Sequence, residues 1–201
     1  MDKNLKGLVL AGGKSIRMGS DKAKIVWHTK EQQYHLADLL ELYCDEVFIS
    51  CTKKQQSDIN EDYNSLPDLY ESCGPMGAVL AAFEKYPDKS WLILACDLPL
   101  LDEKTLDFLV KNRENSKIAT AFESPSDHSL EPLIAIWEPE SYNLIKTSYQ
   151  KKQFSLRKVL LENQIKKIKA PDIDALINAN TPEESACIVK LIALKSTSFI
   201  R

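Results

Sequence analysis

Apolar residues in this 201-residue chain come as short continuous runs that alternate with stretches of helical spacing. The runs at 7–11, 47–51, 91–95, 118–122 and 133–137 read as strands. Segments 34–43, 77–85, 103–111 and 138–149 place apolar residues three and four apart and read as helices. A continuous run such as Trp91-Leu-Ile-Leu-Ala95 suits a strand covered on both faces. Thr181 followed by Pro182-Glu183-Glu184 has the form of a helix start, with that helix expected to continue to about residue 194. The alternation predicts an α/β fold: a doubly wound, mainly parallel, Rossmann-like sheet with helices on both faces and ligands at the carboxyl ends of its strands. The length allows one domain, 1–201, with a full core.

Composition narrows the classes. The net charge of −3, with no local basic patch standing out, argues against a nucleic-acid partner. Apolar stretches shorter than ten residues and an opening Met1-Asp-Lys-Asn-Leu-Lys6 lacking a signal core give no membrane partner, and a cytoplasmic protein is expected. Cys44, Cys51, Cys73, Cys96 and Cys187 form no CxxC pair and read as reduced thiols. His28, His35 and His128 are dispersed, so no zinc spacing appears.

Four segments carry candidate chemistry. In the first, the run Leu8-Val9-Leu10-Ala11 ends at Gly12-Gly13, and Lys14, Ser15, Arg17 and Lys22 follow. A glycine pair lets a ligand approach the backbone, and the basic groups suit a polyphosphate. Leu8 stands where a P-loop needs glycine, and Lys14 where a dinucleotide fingerprint does. The second segment ends an apolar strand at Asp97-Leu98-Pro99, which puts a lone acid at the ligand-bearing edge. Mg²⁺ takes one or two carboxylates and completes its shell with phosphate and water, although Asp also caps turns. The third, Gly74-Pro75-Met76-Gly77, turns into a small-residue helix, with Asp68 upstream as a nucleoside contact or an ordinary surface acid. The fourth, Asn178-Ala-Asn180 before Thr181, reads as a short strand with both amides on one side, suited to a heterocyclic acceptor or to holding a turn. Glu131, before an apolar run, faces acceptor or solvent.

In this order the segments resemble one family, the molybdenum cofactor guanylyltransferases, which make molybdopterin-guanine dinucleotide. The family's Leu-Ala-Gly-Gly-x-x-x-Arg-Met-Gly-x-Asp-Lys is matched by Leu10 to Lys22, and its Cys-Asp-x-Pro by Cys96 to Pro99. Its glycine-proline turn is matched by Gly74 to Ala78, and its Asn-x-Asn-Thr-Pro-Glu-Glu by Asn178 to Glu184. The resemblance implies a Mg²⁺-dependent nucleotidyltransferase that moves GMP from GTP to the terminal phosphate of molybdopterin or molybdenum cofactor, releasing pyrophosphate. It implies that Leu10, Ala11, Gly12, Gly13, Lys22, Asp68 and Asp97 bind nucleotide and that Asp97 holds the metal. Arg17, Lys22 and Asp97 would then be catalytic, with Asn178 and Asn180 toward the acceptor. Transient contact with proteins that donate or receive the cofactor is implied too. Three positions depart from the family: Ser50 where an Asn can touch nucleotide, His28-Thr29-Lys30-Glu31 in place of Gly-Lys-Pro, and Gly77-Ala78 in exchanged order. A cytidylyl- or sugar-phosphate nucleotidyltransferase and a non-catalytic carrier are the rival readings. Gly12, where the cytidine branch tends to carry Ala, leaves more room and favours a purine.

Overall fold

The computed structural model describes residues 4–12, 22–70, 72–124 and 127–198. Strands β1 (Leu5–Leu10), β2 (Glu46–Cys51), β3 (Asn64–Pro67), β4 (Ser90–Ala95), β5 (Ala119–Glu123), β6 (Leu130–Trp137) and β7 (Lys166–Ile168) form one sheet. Its order is β3-β2-β1-β4-β6-β5-β7, and only β6 runs antiparallel to its neighbours. The helices are α1 (Gln32–Glu41), α2 (Pro75–Lys85), α3 (Glu103–Lys111), α4 (Ser141–Gln150), α5 (Leu156–Leu161) and α6 (Pro182–Ser198).

Alternation along the strands sorts the core into two layers. Leu92 and Leu94 of β4 point to one face and pack with Leu36 and Leu40 of α1 and Leu106 and Leu109 of α3. Trp91 and Ile93 point to the other, against Val79 and Phe83 of α2, Ile145 of α4 and Val159 of α5. This period of two with helices on both faces is the doubly wound arrangement the sequence predicts. A third, small cluster joins Ile188 of α6 to Leu100 and Ala179. Among the described residues the five cysteines are free, and no helix is long and apolar enough to cross a membrane.

Two strands and one helix go beyond the sequence expectation. β3 and β7 are the sheet edges and read Asn-Ser-Leu-Pro and Lys-Lys-Ile. Edge strands are kept short and polar because a long apolar edge invites pairing with other chains, so they lack the hydrophobic run that reveals a central strand. α5 is only six residues long, started by Ser155, whose hydroxyl accepts from Lys158 N at 3.2 Å. β6 begins at Leu130 rather than 133. Its Pro132 lies before the pairing with β4, which covers Ile134 to Trp137, and opposite the register shift in β5, where the missing N–H is tolerated. The expected strand around Asn178 does not form; 177–180 has no regular structure and follows a 3-10 turn, Ile173–Leu176.

At the amino end of β4, Glu138 is 2% exposed and accepts from Arg113 Nε at 2.7 Å, Arg113 Nη2 at 2.8 Å and Ser90 Oγ at 2.6 Å. Removing one partner of such a pair leaves a buried charge uncompensated. Arg113→Met is therefore expected to lower unfolding stability by about 3 kcal/mol in urea titrations. The nucleotide affinity of the folded protein should not change, because this network lies at the opposite end of β4 from Asp97.

Candidate active site

Parallel strands end together, so the carboxyl ends of β1, β2, β3 and β4 bring distant segments to one rim. Leu10, Ala11 and Gly12 leave β1, and Asp68 leaves β3 with its N–H held by Cys51 O at 2.8 Å. Asp97 follows β4. These residues and Lys22 line one cleft of about 260 Å³, bounded on the α2 side by Gly74 and Pro75. Gly13 and Arg17, expected in the same site, lie outside the described residues, as do Lys14 and Ser15.

Asp97 is fixed through its own loop. Its carbonyl accepts from Ala179 N at 2.9 Å, Leu98 O accepts from Gln32 Nε2 at 3.1 Å, and Pro99 O accepts from His28 Nε2 at 2.9 Å. Leu98 and Leu101 anchor the loop in the core. Sequence reading did not assign Gln32 and His28 to the site. Gln32 is a fully buried polar residue at the start of α1, and nothing in its sequence context signals its partner. His28 stacks on His35 with ring centroids 4.2 Å apart, so these histidines are not dispersed. Burial and the neighbouring His28 push His35 down to about 4.

Charge in the cleft centres on two carboxylates and one ammonium. Burial raises Asp97 above the ordinary carboxylate range, opposed chiefly by Lys22, whose Nζ lies 3.7 Å from Asp97 Oδ2. The same Nζ donates to Asn180 Oδ1 at 2.8 Å. Asp68 is pushed up to about 6 by burial, and its Oδ1 is buried with no hydrogen-bond partner. An unpartnered buried acceptor facing a cleft is costly unless a ligand donor meets it. A Cβ at Gly12 would stand 3.0 Å from Asp68 Oδ2 and 3.7 Å from Ser50 Oγ. The missing side chain at 12 thus makes room first for the Asp68 carboxylate, a correction to the expectation that it simply widens a base pocket.

The turn into α2 explains its own glycines. Gly74 has φ +60°, which favours glycine, and Pro75 occupies the first helical position. A Cβ at Gly77 would meet Tyr70 O at 2.7 Å and Cys73 Sγ at 2.8 Å, so only glycine fits there, while Ala78 lines the cleft.

Asp97 also borders a second pocket, of about 150 Å³, with Glu131, Arg157 and Asn178. Ala95 and Leu133 belong to both cavities. Arg157 Nη2 lies 3.7 Å from Glu131 Oε2. Arg157 escaped sequence reading because α5 did. The two asparagines do not share one strand face: Asn178 lines this second pocket, whereas Asn180 reaches back to Lys22. Residues 151–169 hold seven of the chain's 26 basic residues and one of its 29 acids, a local excess that the overall −3 conceals. The carboxyl end of α4 and the amino end of α5 carry Lys151, Lys152, Arg157 and Lys158, all exposed, and of these Arg157 lines the pocket that Asp97 borders. Among the described residues no cluster of three His, Cys, Asp or Glu could hold a metal.

Comparison with known proteins places the chain in a family. The chain is 34% identical over 181 residues to a molybdenum cofactor biosynthesis bifunctional protein of Synechocystis, covering 90% of this chain and 52% of that protein. It thus spans about half the length of that relative. A molybdenum cofactor guanylyltransferase of Pseudomonas putida is 24% identical, over 88% of this chain and 93% of its own. Among solved structures, the molybdopterin-guanine dinucleotide biosynthesis protein A of Archaeoglobus fulgidus superposes with a TM-score of 0.78 at 17% identity, covering 94% of this chain and 98% of the other. A CMP:2-keto-3-deoxy-manno-octonic acid synthetase complexed with CTP shares the fold with a TM-score of 0.73 at 10% identity, covering 96% and 99%. Residues 7–168 match the model of the MobA-like NTP transferase domain, and the chain belongs to that family of nucleotidyltransferases.

Proposed function

We propose that this protein transfers GMP from GTP to the terminal phosphate of molybdopterin, with release of pyrophosphate. The observation that carries this reading is the position of Asp97 on the wall shared by two pockets, 3.7 Å from the Lys22 ammonium. GTP occupies the larger cleft, with its nucleoside along Leu10, Ala11 and Gly12 and a donor hydrogen on Asp68. The acceptor occupies the smaller pocket between Asn178, Glu131 and Arg157, beside the basic 151–158 segment.

The donor set fits Mg²⁺. Asp97 offers one carboxylate at the cleft, and Mg²⁺ needs little more from the protein when phosphates and water complete its octahedron. Asp97 would hold the ion, and when bound it would neutralise phosphate charge and ease departure of the leaving group. The remaining work belongs to the chain. An oxygen of the acceptor phosphate attacks the α-phosphorus, the bond to the β-phosphate oxygen breaks, and pyrophosphate leaves with the electron pair. A phosphate monoester has a second pKa near 6, so the nucleophile is already dianionic at neutral pH and no protein base is required. The obstacle is repulsion between anions, which Lys22 on the nucleotide side and Arg157 on the acceptor side lessen by fixed positive charge. Transient docking with proteins that carry the acceptor fits the same basic edge.

Purified protein given GTP, Mg²⁺ and molybdopterin should release pyrophosphate, and it should prefer GTP to the other three nucleoside triphosphates. Asp97→Ala is expected to abolish that release while the circular dichroism spectrum stays that of the wild type. Activity near wild type in this variant contradicts the assignment. Lys22→Glu should weaken GTP binding at least tenfold by calorimetry, because it replaces attraction to phosphate with repulsion; unchanged affinity opposes the reading. Asp68 supplies a pH test. Its folded value of about 6 lies above that of an unfolded chain, so the folded form binds more protons between about pH 4 and 6. Its contribution to stability therefore falls as pH rises through that window, whereas GTP affinity gains as the carboxylate ionises. Asp68→Asn should flatten the first dependence in thermal melts and remove this part of the second in binding titrations.

A further inference from the structure

The terminal motif contains two acids after its proline, and only one of them touches the segment that carries Asn180. Glu184 Oε2 accepts from Asn180 N at 2.7 Å and from Thr181 N at 3.1 Å, while Thr181 Oγ1 accepts from Glu184 N at 3.2 Å. This is a reciprocal capping arrangement at the start of α6, widened by one residue so that it clamps the backbone of Asn180 itself. In this irregular segment Ile177 N donates to Asp174 O at 3.0 Å and Ala179 N to Asp97 O, while the Asn180 N–H is held by Glu184. Asn180 Oδ1 then accepts from Lys22 Nζ at 2.8 Å, and Lys22 stands 3.7 Å from Asp97 Oδ2. One residue earlier, Ala179 N holds Asp97 O, and Ile188, one turn along α6 from Glu184, packs on Leu100 of the Asp97 loop.

We propose that Glu184 is a positioning residue for the transfer: by clamping the Asn180 backbone it sets where the Lys22 ammonium stands relative to Asp97. The first turn of α6 is therefore part of the machinery that places positive charge, as well as a helix start. A lysine is a flexible point charge with four rotatable bonds, and the amide of Asn180 restricts it only if the Asn180 backbone is itself fixed. Glu183, adjacent and exposed, carries the same charge but stands outside the clamp, so the pair provides an internal control.

This inference rests on the reading that Lys22 meets nucleotide phosphate, and its test needs no molybdopterin. GTP affinity in Mg²⁺ is measured by calorimetry on the full chain and on Glu184→Ala, Glu184→Gln, Glu183→Ala, Asn180→Ala and the double variant at 180 and 184. Glu184→Ala should weaken binding about fivefold, in line with loss of a capping acceptor. Glu184→Gln keeps an acceptor oxygen and should recover most of the loss, and Glu183→Ala should bind like the wild type. Because Glu184 acts through Asn180, the double variant should bind no more weakly than Asn180→Ala alone. Wild-type affinity in Glu184→Ala, an equal loss in Glu183→Ala, or losses that add in the double variant each overturn the proposal. If Glu184→Ala does not fold, Thr181→Val removes the reciprocal anchor and takes its place, with the same outcomes. A wild type that binds no GTP overturns the nucleotide-site reading and the proposal together. A wild type that binds GTP without this pattern overturns the proposal alone.

Discussion

The site depends on keeping a carboxylate charged in a place that disfavours it. Asp97 follows the most buried strand of the sheet, where burial raises its pKa, and the Lys22 ammonium is the chief group that opposes this. Each group is held from a different direction. The Asp97 loop is held by Gln32 at the start of α1 and by His28 just before that helix, and Lys22 is held by Asn180 on the approach to α6. A cation and an anion fixed separately can admit a polyphosphate between them with little rearrangement, which is the preorganisation that charge-stabilising catalysis requires.

That requirement accounts for much of the architecture. The two-layer core covers both faces of the sheet, and the segments that follow its parallel strands meet at the carboxyl rim. β6 runs antiparallel there, so it contributes its amino end, and Glu131 enters the rim beside Asp97 from the side opposite β1. The sheet order β1-β4-β6 thereby sets the larger cleft, Asp97 and the smaller pocket side by side along the rim. The buried Arg113–Glu138 pair does its stabilising at the other end of the same strands, away from the chemistry.

Much of this was legible in the sequence where local pattern and chemistry coincide. The run from Trp91 ending at Asp97, and the run from Leu8 ending at Gly12, each mark a central strand and the cleft-lining residue that follows it. Gly74-Pro75 announced its helix start through backbone geometry that few other residues accept. Edge elements were not legible, since β3 and β7 are polar for the same reason that they are edges, and with α5 went Arg157. The pairing of Lys22 with Asn180 spans 158 positions and leaves no local trace. The asparagines are recognisable by their chemistry, but in place of the expected strand a 3-10 turn and an irregular segment send Asn178 to the smaller pocket and Asn180 to the Lys22 ammonium. Gly12 was read for the space it leaves, and the fold shows that an Asp68 oxygen takes that space.

The central claim is that Lys22 and Asp97 share one metal-bound nucleotide. The most direct measurement is anomalous diffraction from crystals of the full chain grown with Mn²⁺ and a non-hydrolysable GTP analogue cleaved at neither the α nor the β position. The account predicts a single manganese peak within bonding distance of the Asp97 carboxylate, with the α-phosphate beside it and the Lys22 ammonium on the phosphate chain. Manganese bound away from Asp97, or a nucleotide lying outside the cleft between Gly12 and Asp97, contradicts it.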